Sequence, residues 1–193
     1  MPKSDDTNSS QRKRADGKRN HDALLKAAKE VFASSGVDAP VREIAGKAGV
    51  GVGTLYRHYP KRADLIAAVF RREIDSCSEE VIEQAKHLPP FEALASCMQT
   101  FATFFATKRG LSEVLHSGDP AFETLPSYFD QHLRPVLAMV LGAAIESGDV
   151  RSDITADELL GGIARLGMSS SEDSSGQVGR MVALLADGLR FKE

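Results

Sequence analysis

Cysteine is scarce in this chain, aromatic residues make up only 6% of it, and long apolar runs are missing. The two cysteines, Cys77 and Cys97, fit no metal or redox spacing. Both fall in apolar helical stretches, where they are expected to be buried free thiols in a reducing cytoplasm. No run of eighteen apolar residues occurs, so no membrane span is expected. The leading MPKSDDTNSSQRKR has no apolar stretch of the kind a secretory signal needs. Period-two alternation is absent, which argues against strands. A glycine-rich phosphate loop, a nucleophile beside a base motif and histidines at metal spacing are missing too. The chain is therefore expected not to be an enzyme, to use no cofactor and to hold no metal.

Charge is scarce only in the net. The formal charge is −3, but residues 1–75 carry 15 Lys+Arg against 10 Asp+Glu, and residues 76–193 carry 9 against 17. A basic front and an acidic back suit a molecule with one nucleic-acid-facing end. The acidic remainder argues against non-specific polyanion binding over the whole surface.

What the chain does have is helical periodicity. The organising stretch is Val41–Leu65, VREIAGKAGVGVGTLYRHYPKRADL. Val41, Ile44, Ala45 and Ala48 lie on one helical face, and Gly49 stops that helix. Val50 fills the corner, Gly51 opens a second short helix, and Leu55 is its inward residue. Ala45 is small where the two helices cross. This is a helix-turn-helix pattern with a turn of about the right length. The outward face of the second helix carries Thr54, Tyr56, Arg57 and His58, followed by Lys61 and Arg62. Short hydrogen-bonding groups and cations on a narrow helix suit the major groove.

The run G-T-L-Y-R-H-Y-P, with its basic pair and the following A-D-L, resembles the DNA-binding domain of the tetracycline-repressor (TetR) family of bacterial transcription regulators. The likeness is close over roughly a quarter of the chain and extends to the rest in layout. It implies that Tyr56, His58 and Arg62 contact phosphate, with Lys61 an added cation beside them. It implies that Arg42 reads a guanine edge, and that Val52, Gly53 and Thr54 meet the bases. Three residues depart from the commoner pattern: Gly51 and Lys61 stand where capping hydroxyls are usual, and Pro40 stands where a capping Thr often is. Val52 and Gly53 offer no polar side chain, so base reading there is expected to be apolar, against thymine methyls, or by close backbone approach.

Along the chain, residues 1–19 read as a disordered basic arm, residues 20–66 as the DNA-binding domain, and residues 67–193 as a helical domain for effector binding and dimerisation. Asn20 is expected to cap the first helix, whose core face is Leu24, Leu25, Ala28, Val31 and Phe32 and which Gly36 ends. A long helix after Pro60 carries Leu65, Ile66, Val69, Phe70, Ile74, Cys77, Val81 and Ile82. Phe91, Leu94, Met98, Phe101 and Phe105 form the next stripe, with Phe104 beside it. A short helix is expected over Leu111–His116, another helix from Pro126 to Gly148 with Pro135 inside it, a capping box at Thr155–Glu158, and a last helix from Val178 to Leu189. Gly148–Leu159, GDVRSDITADEL, is similar to a turn found in one group of such regulators. The expected fold is all-α, an N-terminal three-helix helix-turn-helix domain followed by a larger helical domain, with about nine helices in all.

The resemblance implies an effector pocket, and the aromatic concentration places it at Met98, Phe101, Phe105, Leu115, His116, Phe122, Phe129 and His132, with Phe104 and Tyr128 nearby. It also implies that the last two helices pair with a twin as a four-helix bundle. Ile163, Val178, Val182, Leu185 and Leu189 are expected at that interface, and Gly161 and Gly162 are expected to allow close approach. The function implied is that of a homodimeric repressor in the cytoplasm. It would bind a near-palindromic double-stranded operator and be released by a small apolar or amphipathic effector. The alternative is a DNA-binding regulator with no small-molecule ligand, its helical domain serving dimerisation or a protein partner.

Overall fold

The computed structural model describes residues 5–107, 117–169 and 175–190, with side chains from Arg19 onward. Among these residues there are eight α-helices, one short 3-10 turn at Pro120–Phe122 and a single isolated bridge between Val150 and Arg190. The helices are α1 (Asp5–Ser35), α2 (Val41–Lys47), α3 (Val52–His58), α4 (Arg62–Ala85), α5 (Pro90–Thr107), α6 (Leu125–Glu146), α7 (Ala156–Ser169) and α8 (Ser175–Leu189). The helix expected over Leu111–His116 lies outside the described residues. The chain forms two compact units that divide between Arg72 and Glu73, within α4.

The first unit begins differently from expectation. Helix α1 starts at Asp5, well upstream of Asn20, so from Asp5 on there is helix where the sequence reading put a disordered arm. The composition accounts for it. Gln11, Arg12, Lys13, Arg14 and Ala15, within that stretch, are good helix formers. Leu24, Ala28 and Val31 of α1 then pack on Ile44, Ala45, Leu55 and Leu65 in one core. Helix α2 ends in the geometry its sequence demands. Gly49 has φ +70°, its N–H donates to Gly46 O at 3.1 Å, and the Val50 N–H donates to Ala45 O at 3.0 Å. That pair of bonds satisfies the last carbonyls and needs a residue at ease in the left-handed region. Pro40 and Gly51 cap α2 and α3 without any side-chain bond. The missing hydroxyl at Lys61 is compensated, because Asp64 Oδ2 accepts from the Lys61 N–H at 3.0 Å.

The second unit is built around α5, which packs against α6, α7 and α8. Its stripe Phe91, Leu94, Met98, Phe101 and Phe105 is buried as expected, joined by Ala93, Cys97 and Ala102. Both cysteines are free and buried, and burial pushes the Cys97 thiol up, out of reach of ordinary pH. Of the long stripe on α4, Ile82 is the exception at 40% exposed. The capping box at Thr155 is present: the Thr155 N–H donates to Glu158 Oε2 at 2.9 Å, and the Glu158 N–H donates to Thr155 Oγ1 at 3.2 Å.

Within the protomer, the glycines differ in how closely a neighbouring helix approaches. A Cβ on Gly162 would make only ordinary contact with Leu185 at 3.9 Å, and one on Gly161 would meet only Arg165 of its own helix. A Cβ on Gly167, by contrast, would lie 2.7 Å from Phe105 Cβ and 2.8 Å from Ala102 O. The tight contact is therefore α7 on α5, inside the protomer, where two backbones meet across a position that admits no side chain.

Candidate nucleic-acid interface

The outward side of α3 consists of groups that the core does not use. Val52 is 39% exposed and Tyr56 49% exposed, and Gly53, Arg57 and His58 are also exposed. Thr54 is half-buried at the edge of this face. Lys61 follows in solvent, and Arg42 projects from α2, also exposed. Leu55 alone anchors α3 inward, at 1% exposure. Seven residues held by one buried side chain cannot keep their pose unaided, so the residues flanking the helix matter.

Tyr59 is the main anchor. It ends α3, since its N–H donates to Leu55 O at 2.8 Å. Its side chain also enters the core at 6% exposure, and its hydroxyl lies 2.7 Å from His21 Nε2. Burial, and secondarily the negative Asp22, push the Tyr59 phenol up to about 12. It therefore stays protonated and donates to Nε2 whenever that nitrogen carries no proton. The His58 ring stands edge-on to His21 at 6.1 Å. His21 was missed in the sequence, though its place was legible: His21, Leu24, Leu25 and Ala28 fall on one helical face, the one turned to the core.

Arg62 is placed differently from its neighbours. It is half-buried, and its Nη1 donates to the carbonyl of Val37 at 2.5 Å. One donor of its guanidinium thus ties the start of α4 to the α1–α2 connection. Lys47 and Glu30 form an ion pair at 2.9 Å between α2 and α1; both are solvated, so its contribution is small.

In the second unit the nominated pocket residues separate into two sets. Met98 and Phe101 are 0% exposed, and Phe105 and Phe122 are also buried, all as core. Phe129 is half-buried and meets Phe105 at 5.2 Å and Phe104 at 6.3 Å between ring centroids. His132 stacks on Tyr128 at 3.9 Å, its Nδ1 lies 2.7 Å from the Tyr128 carbonyl, and its backbone carbonyl accepts from Ser78. The Tyr128 hydroxyl donates to Asp75 Oδ1 at 2.6 Å, and His132 Nε2 stands 3.8 Å from the same oxygen. Asp75 was not singled out in the sequence; a lone acidic residue on a helix gives no hint of a tyrosine partner fifty-three positions away. Leu115 and His116 lie outside the described residues.

The residues expected at a dimer interface divide by exposure. Ile163, Val178, Val182 and Leu189 are 0–7% exposed within a single chain, so their surface is already covered by their own protomer. Leu185 is half-buried. The apolar side chains that α7 and α8 leave outside are Met168 at 50%, Met181 at 39% and Leu184 at 62% exposed. Beside Leu184 and Leu185 an open groove is lined by Arg151, Asp153, Asp187 and Gly188. The Arg151 N–H donates to Leu189 O at 3.0 Å, and the Arg190 guanidinium sits 4.0 Å over the Phe91 ring, so the end of α8 is pinned at both sides.

Two family profiles cover the chain. That of bacterial regulatory proteins of the tetR family matches residues 24–69, and that of the SbtR-like transcriptional regulator C-terminal domain matches residues 89–191. The chain belongs to the TetR family. A TetR transcriptional regulator of Streptomyces coelicolor is 33% identical, with a TM-score of 0.74 over 89% of this chain and 99% of that one. A TetR transcription regulatory protein of Mycobacterium vanbaalenii is 30% identical, with a TM-score of 0.70 over 92% of this chain and 99% of that one. An HTH-type transcriptional regulator of Staphylococcus aureus (strain USA300) is 27% identical over 123 residues, 62% of this chain, which spans 66% of the length of that relative. The first TetR profile ends near the close of the first unit's core, and the second begins at the turn before α5. Among the described residues of this TetR-family chain no helix is long and apolar enough to cross a membrane, and no cluster of metal-ligating side chains occurs.

Proposed function

We propose that this chain is a sequence-specific DNA-binding transcriptional regulator, a homodimer that represses from a near-palindromic operator and is released by a small apolar or amphipathic effector. The observation that carries the reading is the exposed outer face of α3, whose side chains the core does not use, in a unit that matches the TetR profile. Arg42, Thr54, Val52 and Gly53 meet bases, and Tyr56, Arg57, His58 and Lys61 meet phosphates. Arg62 positions α4 through Val37 and offers its remaining donors to phosphate. The twin packs on Met168, Met181, Leu184 and Leu185. The effector lies against Phe104, Phe105 and Phe129, with Tyr128, His132 and Asp75 as its polar contacts. The zero exposure of Met98 and Phe101 favours the second reading, a regulator whose helical domain binds no small molecule.

Selection of binding sites from random duplex DNA tests the proposal. Inverted repeats with half-site centres about 34–36 Å apart are expected. Arg42→Ala should cost roughly 1–3 kcal/mol per half-site and relax the choice at one base pair. Lys61→Ala should weaken all sequences alike and reduce the log–log salt slope by about one for each phosphate that the lysine no longer neutralises. A preferred site without two-fold symmetry, or no preferred site, would overturn the reading.

A further inference from the structure

A buried hydroxyl must place its proton, and the place that Tyr59 finds for it fixes the ring beside it. The Tyr59 side chain is buried, and its oxygen lies 2.7 Å from His21 Nε2. The hydroxyl keeps its proton at ordinary pH, because burial, and then Asp22, push the phenol up to about 12. Among the described residues His21 Nε2 is its one hydrogen-bond partner. A proton on Nε2 would leave that buried hydroxyl without an acceptor, and an unsatisfied buried donor is costly. Nε2 is therefore the acceptor. A neutral imidazole carries a single proton, so in His21 it sits on Nδ1. That N–H finds no acceptor among the described residues: Asp22 Oδ1 stands 3.8 Å from Nδ1, beyond hydrogen-bond reach. The His21 side chain is 44% exposed, and Tyr59 covers its Nε2 edge, so the Nδ1 edge is the one open to a partner. Edge-on to it, with 6.1 Å between ring centroids, stands the exposed His58 at the end of α3. The one charge beside His21 Nδ1 among the described residues is that of Asp22, which is 53% exposed, so water and salt screen its repulsion of an anion.

We propose that His21 is a phosphate-binding residue supplied by α1, outside the helix-turn-helix, whose Nδ1–H donates to a DNA backbone oxygen next to the one that His58 meets. Tyr59 is its positioning residue, since the buried hydroxyl holds the tautomer that aims the donor outward. The proposal rests on the DNA-binding reading above and adds to it a contact that no cation makes. A neutral donor displaces no counterion, so it fixes where the unit sits on the duplex without strengthening the salt-dependent attraction. Lys61 does the converse, adding attraction with little direction.

The test uses the full chain and the best duplex recovered by selection from random DNA, at about pH 8, above the usual titration range of histidine. His21→Ala should bind that duplex and its single-base variants alike about fivefold more weakly per half-site, the worth of roughly one hydrogen bond. Its log–log salt slope should equal that of the unaltered protein, whereas Lys61→Ala should lower the slope. Methylphosphonate is then placed at each backbone position in turn. At one position per half-site it should penalise His21→Ala less than the unaltered protein, by about the same fivefold. Imidazole nitrogen NMR of the free protein should show His21 protonated at Nδ1. Tyr59→Phe should release that proton to Nε2 and lower DNA affinity toward that of His21→Ala, a change of tautomer that a purely packing role for Tyr59 would not produce. A proton on Nε2 in the unaltered protein, a tautomer unmoved by Tyr59→Phe, a lowered salt slope in His21→Ala or methylphosphonate penalties equal for the two proteins at every position would each overturn the proposal. Recovery of no preferred duplex would remove the DNA-binding reading and this proposal together. A preferred duplex that His21→Ala binds as tightly as the unaltered protein would remove this proposal alone.

Discussion

In the first unit, the side chains nominated for function are mainly the ones the structure leaves outside, Tyr56 at 49% and Val52 at 39% exposure among them. In the second unit the opposite holds: Met98, Phe101, Ile163 and Val182, nominated for a pocket or an interface, are at most 1% exposed. The difference lies in what polarity and apolarity can say. A cation or hydroxyl on the outer face of a short helix has no role in a core, so its presence points outward to a partner. An apolar residue serves a core, a pocket and an interface equally well, and periodicity shows only that it is covered, not by what. The second unit satisfies its own demand first. Helix α8 turns Val178, Val182 and Leu189 inward, and what it leaves outside or half-buried is the weaker stripe of Met181, Leu184 and Leu185.

The largest expected effect breaks this comparison at its sharpest point. Ile163→Ala should cost about 2–5 kcal/mol of stability in denaturant unfolding, as a fully buried side chain would, and leave the dimer intact at concentrations where the protein is folded. Leu184→Glu should do the reverse, keeping the fold and shifting sedimentation toward monomer. If Ile163→Ala dissociates the dimer and Leu184→Glu does not, the interface lies on the face that buries Ile163. A smaller effect concerns glycine. Gly167→Ala should destabilise the second unit by about 1–3 kcal/mol, because its Cβ has no room between Phe105 and Ala102. Unchanged melting of Gly167→Ala would mean that α7 and α5 do not meet so closely at this position.

The smallest effect sharpens the account of the first unit. With Tyr59 raised from 10.0 to about 12, the folded state holds a proton that the unfolded state releases first. Its contribution to stability is fully present below about pH 10 and is lost as the pH rises toward about 12. Tyr59→Phe should give up the bond to His21 and flatten the decline in stability over that window, measured by denaturant unfolding at a series of alkaline pH values. An unchanged slope would mean that Tyr59 is not the titrating anchor.

Much of the fold was legible in advance. Helix stops at Gly36, Gly49 and Gly148, the start of α6 at Leu125 beside Pro126, and the capping box at Thr155 all follow from local chemistry that neighbours in sequence decide between themselves. Helix upstream of Asn20 was not legible, because Asn20 is a good cap and local rules do not say whether a good cap is used. Of the nominated residues, Tyr56, Arg57 and His58 on α3 and Lys61 just after it are exposed, and Thr54 is half-buried. The bonds between Tyr59 and His21, from Tyr128 to Asp75 and from Arg62 to Val37 could not be read in advance, because each joins residues far apart in the chain.

By itself, the sequence determined most of the helices and of their ends, the helix-turn-helix and the chemistry of its outer face, since those rest on contacts within one or two turns. Tertiary structure decided which glycine marks a close approach within the chain, which apolar face is core and which is left in solvent, and which polar groups hold α3 in place. Those outcomes depend on what fills the space beside a residue. A side chain buried at 0%, like Ile163, and one exposed at 62%, like Leu184, differ in that neighbour and not in their own chemistry.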